Sequence, residues 1–168
     1  IEHLVATLRR SLSEGLNVVD TAPNYEDGYS EELVGRALAG HPRDSVFVID
    51  KIDHPLQEIT PQIEASLARL QLAHVDLFVF HAISDVAVWD AIAADGGPME
   101  VLGASIRQGK ARFRGVSSHH PDVLRKAVLS GLCDVVMLPM GPYVDPRYEH
   151  EILPLARAHG VGTVSFKT

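Results

Sequence analysis

Four segments that read as β-strands end in polar or ionisable side chains: Asp20, Lys51, His81 and Ser117. Tyr25 follows the first of them in the next loop. A carboxylate, an ammonium, an imidazole and two hydroxyls gathered in one place could polarise a small ligand and move its protons. Taken singly, each has a plainer reading. Asp20 can cap the loop after its strand, Tyr25 can be a rim aromatic, and Lys51 an exposed strand-end cation. His81 is one of nine histidines and by default a structural one. A metal reading would draw on His119 and His120 with His81 and Asp20. Adjacent residues of an extended strand point to opposite faces, so His119 and His120 do not readily ligate together. No H-x-H or H-E-x-x-H occurs, and no metal is expected.

The elements that must carry these groups follow from hydrophobic periodicity. Strands are expected at Leu16–Thr21, Val46–Lys51, Val75–His81, Ala111–Ser117, Val135–Leu138 and Val161–Phe166. Helices are expected at Glu2–Ser13, Glu31–Ala39, Thr60–Leu70, Asp85–Gln108, Asp122–Ser130 and Glu149–His159, with Ala94–Pro98 breaking the long fourth one. Gly15, Gly40, Gly109, Gly131 and Gly160 stand where helices end and a left-handed residue is wanted. Ser30, Thr60 and Asp85 are expected N-caps, and Pro61 a first helical residue.

Alternating strand and helix implies an α/β fold with a parallel sheet, either open and doubly wound or closed into a (β/α)8 TIM barrel. No G-x-G-x-x-G or G-x-x-x-x-G-K-[ST] follows a strand, which removes the main support for the nucleotide-binding open sheets. In an open sheet only a few strand ends meet at the ligand, whereas a barrel brings every C-terminal strand end to one ring. Counting back by two, Lys51 shares a face with Ile49 and Phe47, His81 with Val79 and Leu77, and Asp20 with Val18 and Leu16. An apolar layer beneath a polar rim is how a packed barrel interior reads, and the barrel is favoured.

Composition excludes other roles. Twenty-two acidic against 15 basic residues give a net charge of −7 with no basic stripe, so nucleic acid is not an expected partner. No apolar run approaches the roughly 20 residues of a membrane helix. The single cysteine, Cys133, allows no intrachain disulfide and suits a reducing, cytoplasmic setting.

Five ordered motifs carry a family resemblance. They are Gly15-Leu-Asn-Val-Val-Asp20-Thr-Ala-Pro-Asn-Tyr25 with Ser30-Glu-Glu-Leu-Val-Gly35, then Val46-Phe-Val-Ile-Asp-Lys51, then Ser66-Leu-Ala-Arg-Leu-Gln71. The last two are Val75-Asp-Leu-Phe-Val-Phe-His81 and Gly109-Lys-Ala-Arg-Phe-Arg-Gly-Val-Ser117. In this order and spacing they resemble the aldo-keto reductase superfamily across essentially the whole chain. The resemblance implies reduction of an aldehyde or ketone by hydride from NADPH, or NADH, with a tetrad of Asp20, Tyr25, Lys51 and His81. A carbonyl that accepts hydride gathers negative charge on oxygen and needs a proton donor and fixed positive groups. Tyr25 would be the donor. A lone phenol is a weak acid at neutral pH; the Lys51 cation would favour its phenolate, and Asp20 would hold Lys51 charged and oriented.

For the cofactor the resemblance implies Asp20, Ser117, Ser118, Met137 and Phe166. Ser117 matches the serine of the family's Ser-Asn pair, but Ser118 replaces the asparagine and Met137 falls where a glutamine is usual. A thioether cannot replace an amide's hydrogen bonds. Phe166 lies near the aromatic that stacks on nicotinamide, or is core. Asp50 departs from the usual small residue before the lysine and would face the helical layer. Two other functions stay open: a nicotinamide-binding regulatory or subunit protein without turnover, and a chain too incomplete for either.

The segments correspond to strands two to seven of the barrel, entered through its first helix. A full barrel takes about 250 residues, and this chain has 168. The expectation is one partial aldo-keto reductase domain over residues 1–168, lacking the first and eighth strands and the last helices. Two unpaired sheet edges would make such a piece prone to self-association.

Overall fold

Strand and helix alternate along the chain as the periodicity requires. The computed structural model describes residues 2–167. Six strands form one sheet whose spatial order is their sequence order: β1 (Val18–Asp20), β2 (Phe47–Ile52), β3 (Val75–Phe80), β4 (Ala111–Ser117), β5 (Val135–Pro139) and β6 (Gly162–Phe166). All five pairings are parallel. Among the described residues α1 (Glu2–Ser13) precedes β1, and six α-helices lie between strands: α2 (Tyr29–Leu38), α3 (Ile59–Leu70), α4 (Val86–Ala93), α5 (Pro98–Arg107), α6 (Pro121–Leu129) and α7 (Leu153–Ala158). The architecture is a partial (β/α)8 barrel.

Strand parity sorts side chains into two layers. Ile49, Leu77, Val79 and Met137 form an inner cluster, with Phe47, Phe113, Val135, Val164 and Phe166 against it. Phe47 of β2 stacks on Phe113 of β4, ring centroids 6.2 Å apart. The alternate residues Val48, Ile52, Phe78, Phe80, Val116, Val136 and Leu138 face outward into the helical layer, which supplies Trp89, Ile92, Leu102 and Leu124. The inward parity expected for Lys51 is therefore that of an interior face. At the β1 edge the inner layer is open, and Leu16 and Val18 are half exposed.

Asp76 ties three strands together at their N-terminal ends. Its buried carboxylate on β3 accepts the Val48 N–H of β2 at 2.8 Å, Arg43 at 2.7 Å and Arg112 of β4 at 2.7 Å. Burial pushes this carboxyl up, but those hydrogen bonds and the Arg43 charge outweigh it and hold the group below the usual carboxylate range. Cys133 is free and buried, and burial pushes its thiol up to about 12.

Several boundaries differ from the expected ones. Asp85 caps α4 as expected, accepting the Ala87 N–H at 2.7 Å. Ser30 does not cap α2. That helix starts earlier, from Gly28 in a left-handed conformation, and Ser30 accepts a hydrogen bond from Thr21 Oγ1 at 2.8 Å. Thr60 also lies inside its helix, which Glu58 precedes, so Pro61 is its third residue rather than its first. The break in the long fourth helix is real: Gly96 is left-handed (φ 70°), Gly97 caps α5 and Pro98 opens it. The last expected helix begins as a wide π-turn over Tyr148–Ile152 before α7. Pro154 lacks the N–H that a regular i→i−4 ladder needs there. No described helix is long and apolar enough to cross a membrane.

Gly35 sets the approach of α2 to α3. A Cβ there would sit 2.3 Å from the Leu70 carbonyl oxygen, backbone that cannot yield cheaply. Gly35→Ala is expected to destabilise the chain by about 1–3 kcal/mol, read as a lower urea midpoint at unchanged slope. An unchanged midpoint would show that the helix pair is loosely packed.

Candidate active site

Lys51 is the centre of the strand-end cluster. It points inward at the end of β2, with its side chain almost fully buried. Nζ donates to Asp20 Oδ1 at 2.8 Å and to the Thr21 carbonyl at 2.7 Å, both at the end of β1. The same ammonium lies 4.8 Å from the centroid of the Tyr25 ring. The edge of sequence between Asp20 and Tyr25 is a tight loop: Tyr25 N–H donates to the Ala22 carbonyl at 3.1 Å, and Asn24 N–H to Asp53 Oδ2 at 2.8 Å. Glu26, Asp27 and Gly28 then follow one another in the left-handed region and turn the chain into α2.

His81 stands across from Tyr25, their ring centroids 5.8 Å apart and nearly perpendicular. Its backbone N–H donates to the Ile52 carbonyl at 3.0 Å, which continues the β2–β3 ladder one residue past β3. Its Nδ1 meets Asp53 Oδ1 at 2.5 Å. Asp20, Tyr25, Lys51 and His81 all line one cavity of about 490 Å³, together with Asn24, Ser117, His119, Met137, Phe166 and Lys167. The four residues expected to work together are thus brought together. In this arrangement a phenol has a cation at its face and an imidazole at its side, and the cation is held by a carboxylate.

Ser117, Met137 and Phe166 reach the same cavity; Ser118 does not. On extended backbone Ser117 turns inward, so Ser118 turns outward. Its hydroxyl is fully buried, donates to the Ile83 carbonyl at 2.6 Å and accepts the His120 N–H at 2.9 Å. That hydroxyl ties the loops after β3 and β4 and has no reach to a ligand in the cavity. Phe166 packs on the inner cluster and also faces the cavity, where its ring lies 4.9 Å from that of His119. The Tyr148 hydroxyl donates to the His119 carbonyl at 2.6 Å and fixes that segment. Burial, then the nearby charges of Lys167, His120 and His81, keep His119 below the usual imidazole range, so it presents a neutral ring. Two aromatic faces, a thioether floor and the Ser117 hydroxyl suit a flat, amphipathic ring, and the residues present fit a nicotinamide. Among the described residues no group of three His, Cys, Asp or Glu side chains is placed to hold a metal ion.

Comparison with known proteins agrees with this geometry. The profile of the Aldo/keto reductase family matches residues 2–168. The chain belongs to that family. A methylglyoxal reductase of Escherichia coli is 40% identical over 118 residues, covering 68% of this chain and 38% of its own length. An NADH-specific methylglyoxal reductase of the same organism is 30% identical over 168 residues, covering 88% and 50%. L-Galactose dehydrogenase of Arabidopsis thaliana is 30% identical over 173 residues, covering 96% and 53%. Among solved structures, an aldo/keto reductase of Klebsiella pneumoniae in complex with NADP and acetate superposes with a TM-score of 0.79 at 27% identity, over 98% of this chain and 57% of that one. The holo form of an aldo-keto reductase of Bacillus halodurans gives 0.81 at 26% identity, over 96% and 55%. The matches cover between 38% and 57% of these relatives' own lengths.

Within this aldo/keto reductase segment, Asp53 is the site residue that the sequence reading missed. Strand parity could have found it, since it follows Lys51 by two residues and so shares its face. Asp50 is the outward-facing neighbour of Lys51, and its place now has a physical account. Its Oδ1 accepts the Lys51 N–H at 2.8 Å, while Oδ2 is buried beside Glu31 with no partner in hydrogen-bond geometry. Glu31 is itself buried and held by Arg69 through two contacts, 2.5 and 3.1 Å. Burial, then the Glu31 charge, push the Asp50 carboxyl up to about 8. A proton on Oδ2 converts an orphaned acceptor into a donor toward Glu31.

The unfolded chain releases this proton near the ordinary value of 3.8, while the folded chain keeps it to about 8. The native state therefore binds more protons in that window, and the Asp50 contribution to stability falls as pH rises through it. Asp50→Asn supplies the same acceptor and a permanent donor. It is expected to stabilise the chain by on the order of 1–3 kcal/mol at pH 8 and to be nearly neutral at pH 4, by urea denaturation. Equal effects at both pH values would show that Asp50 is ionised throughout.

Proposed function

We propose that this chain carries the carbonyl-reducing centre of a nicotinamide-dependent aldo-keto reductase acting on a small aldehyde or ketone. The observation that carries the proposal is the buried Lys51 ammonium, held by Asp20 and set against the Tyr25 ring with His81 beside it. Bound NADPH or NADH supplies hydride to the carbonyl carbon. Tyr25 delivers the proton to the carbonyl oxygen, because its phenol lines the cavity beside the Lys51 ammonium and the His81 ring. Lys51 supplies a fixed positive charge beside the developing negative charge, and its pairing with Asp20 holds that cation in place, so little reorganisation is needed. His81 lines the same cavity beside the Tyr25 ring. Ser117 and the Phe166 and His119 rings would receive the nicotinamide, with Met137 beneath. The thioether and the outward Ser118 leave Ser117 as the hydroxyl available to its carboxamide from these three positions. One partial-barrel domain over residues 1–168 and a cytoplasmic setting, where a lone thiol such as Cys133 stays reduced, belong to the same reading.

Relatives named as methylglyoxal reductases and a sugar dehydrogenase support small aldehydes, ketones and sugar-derived carbonyls as the substrate panel. Quenching or enhancement of NADPH or NADH emission on mixing is the expected sign of cofactor binding, and no binding of either at high micromolar concentration would overturn the cofactor assignment. Tyr25→Phe should keep cofactor binding and lose reduction by about 100-fold or more. Turnover that survives this change would move the acid role elsewhere, and binding without turnover in the unaltered protein would favour a regulatory role.

A further inference from the structure

The Asp53 carboxylate touches two parts of the cluster at once. Oδ1 meets His81 Nδ1 at 2.5 Å, and Oδ2 accepts the Asn24 N–H at 2.8 Å. Both side chains of the Asp53–His81 pair are largely buried, 10% and 14% exposed. Asn24 is the residue before Tyr25, so one carboxylate holds the ring on β3's end and the loop that bears the phenol.

We propose that Asp53 is a positioning residue that keeps the hydrogen of the neutral His81 ring on Nδ1 and holds the Tyr25 loop in register with that ring. An ionised carboxylate only accepts hydrogen bonds, so a contact of this length requires Nδ1 to carry the hydrogen. Burial pushes the Asp53 carboxyl up, but the His81 hydrogen bond and charge, the Asn24 N–H and the His54 charge outweigh it. The group stays below the usual carboxylate range and is ionised at neutral pH. With Nδ1 committed, His81 has Nε2 left for other partners. In the neutral ring Nε2 is a lone pair and accepts a hydrogen bond; it becomes a donor only in the imidazolium, whose charge Asp53 balances. Neutral His81 therefore leaves donation to the carbonyl oxygen to Tyr25. It can accept the hydroxyl hydrogen of the alcohol product, which orients that group without competing for the role of acid.

The catalytic consequence rests on the carbonyl-reduction reading, but the hold on the ring is measurable without turnover. Long-range ¹H–¹⁵N correlation spectra of the full chain, taken where His81 is neutral, should show the Nδ1–H form. Asp53→Ala removes the acceptor, and Asp53→Asn, a gentler change for folding, offers a donor as well as an acceptor to the ring. In both variants the Nε2–H form should gain population. An unchanged His81 pattern in both would overturn the proposal. In steady-state reduction, Asp53→Ala should lower kcat by about 100-fold and leave NADPH affinity within twofold. No loss of kcat, or a matching loss of cofactor affinity, would overturn the positioning role. A protein that shows the tautomer change yet reduces no carbonyl keeps Asp53's hold on His81 and removes only the reductase reading.

Discussion

A parallel sheet covered on both faces can place charge at little cost only where its strands stop. Mid-strand residues face either the inner cluster or the helical layer, and a charge in either must leave water. The described strands follow this in the main. Val, Ile, Leu and Phe dominate β2 and β3. Asp20 and Ser117 end β1 and β4, Lys51 lies one residue before the end of β2 and His81 one residue beyond β3, while Asp50 and Arg114 are the mid-strand exceptions. Parallel strands curled about an axis bring those ends to one mouth. The convergence of the cluster is thus a result of solvation as much as of chemistry. Lys51 is the sharpest case, because its buried ammonium donates to both Asp20 and the Thr21 carbonyl at the end of β1.

The span from Asp50 to Asp53 connects both layers within four residues. Lys51 and Asp53 face inward to Asp20, Tyr25 and His81, while Asp50 and Ile52 face the helices. Asp50 departs from the rule of apolar strand interiors, and it does so beside Glu31 and Arg69, residues of α2 and α3. Arg69 pairs with Glu31, and burial together with the Glu31 charge pushes the Asp50 carboxyl up to about 8, which favours its neutral form there. This arrangement fixes the peptide unit from which Lys51 projects, since Asp50 Oδ1 holds the Lys51 N–H itself. Positioning of the cation thus comes from both sides of the sheet.

Periodicity of two was enough to read the barrel face and the four convergent residues, because β2 and β3 are buried on both sides and their alternation is strict. Helix starts were less legible. Ser30 looked like a cap by type, yet the left-handed Glu26–Gly28 turn begins α2 sooner, and that turn has no local pattern to read. Ser118 was grouped with Ser117 by family likeness, whereas alternation alone sends it outward, so the simpler rule was the better guide. Asp53 lay past the expected end of its strand and was passed over, although the same alternation extends to it. Pairings such as Asp50 with Glu31 need tertiary proximity across 19 positions, which no spacing within an element reveals.

The order of the strands in space is the order of their synthesis. Each strand pairs with the one made just before it, across a crossover of a few tens of residues, so no pairing waits for a distant segment. Such a chain can assemble vectorially, each new βα unit docking on a strand already in place as it leaves the ribosome. At every stage the unsatisfied backbone is confined to the first strand and the newest one. The Asp76 clamp belongs to this sequence of events: its three strands are consecutive, and it closes only when Arg112 arrives with the third of them. It would act as a latch on the central strands before the mouth of the barrel is complete.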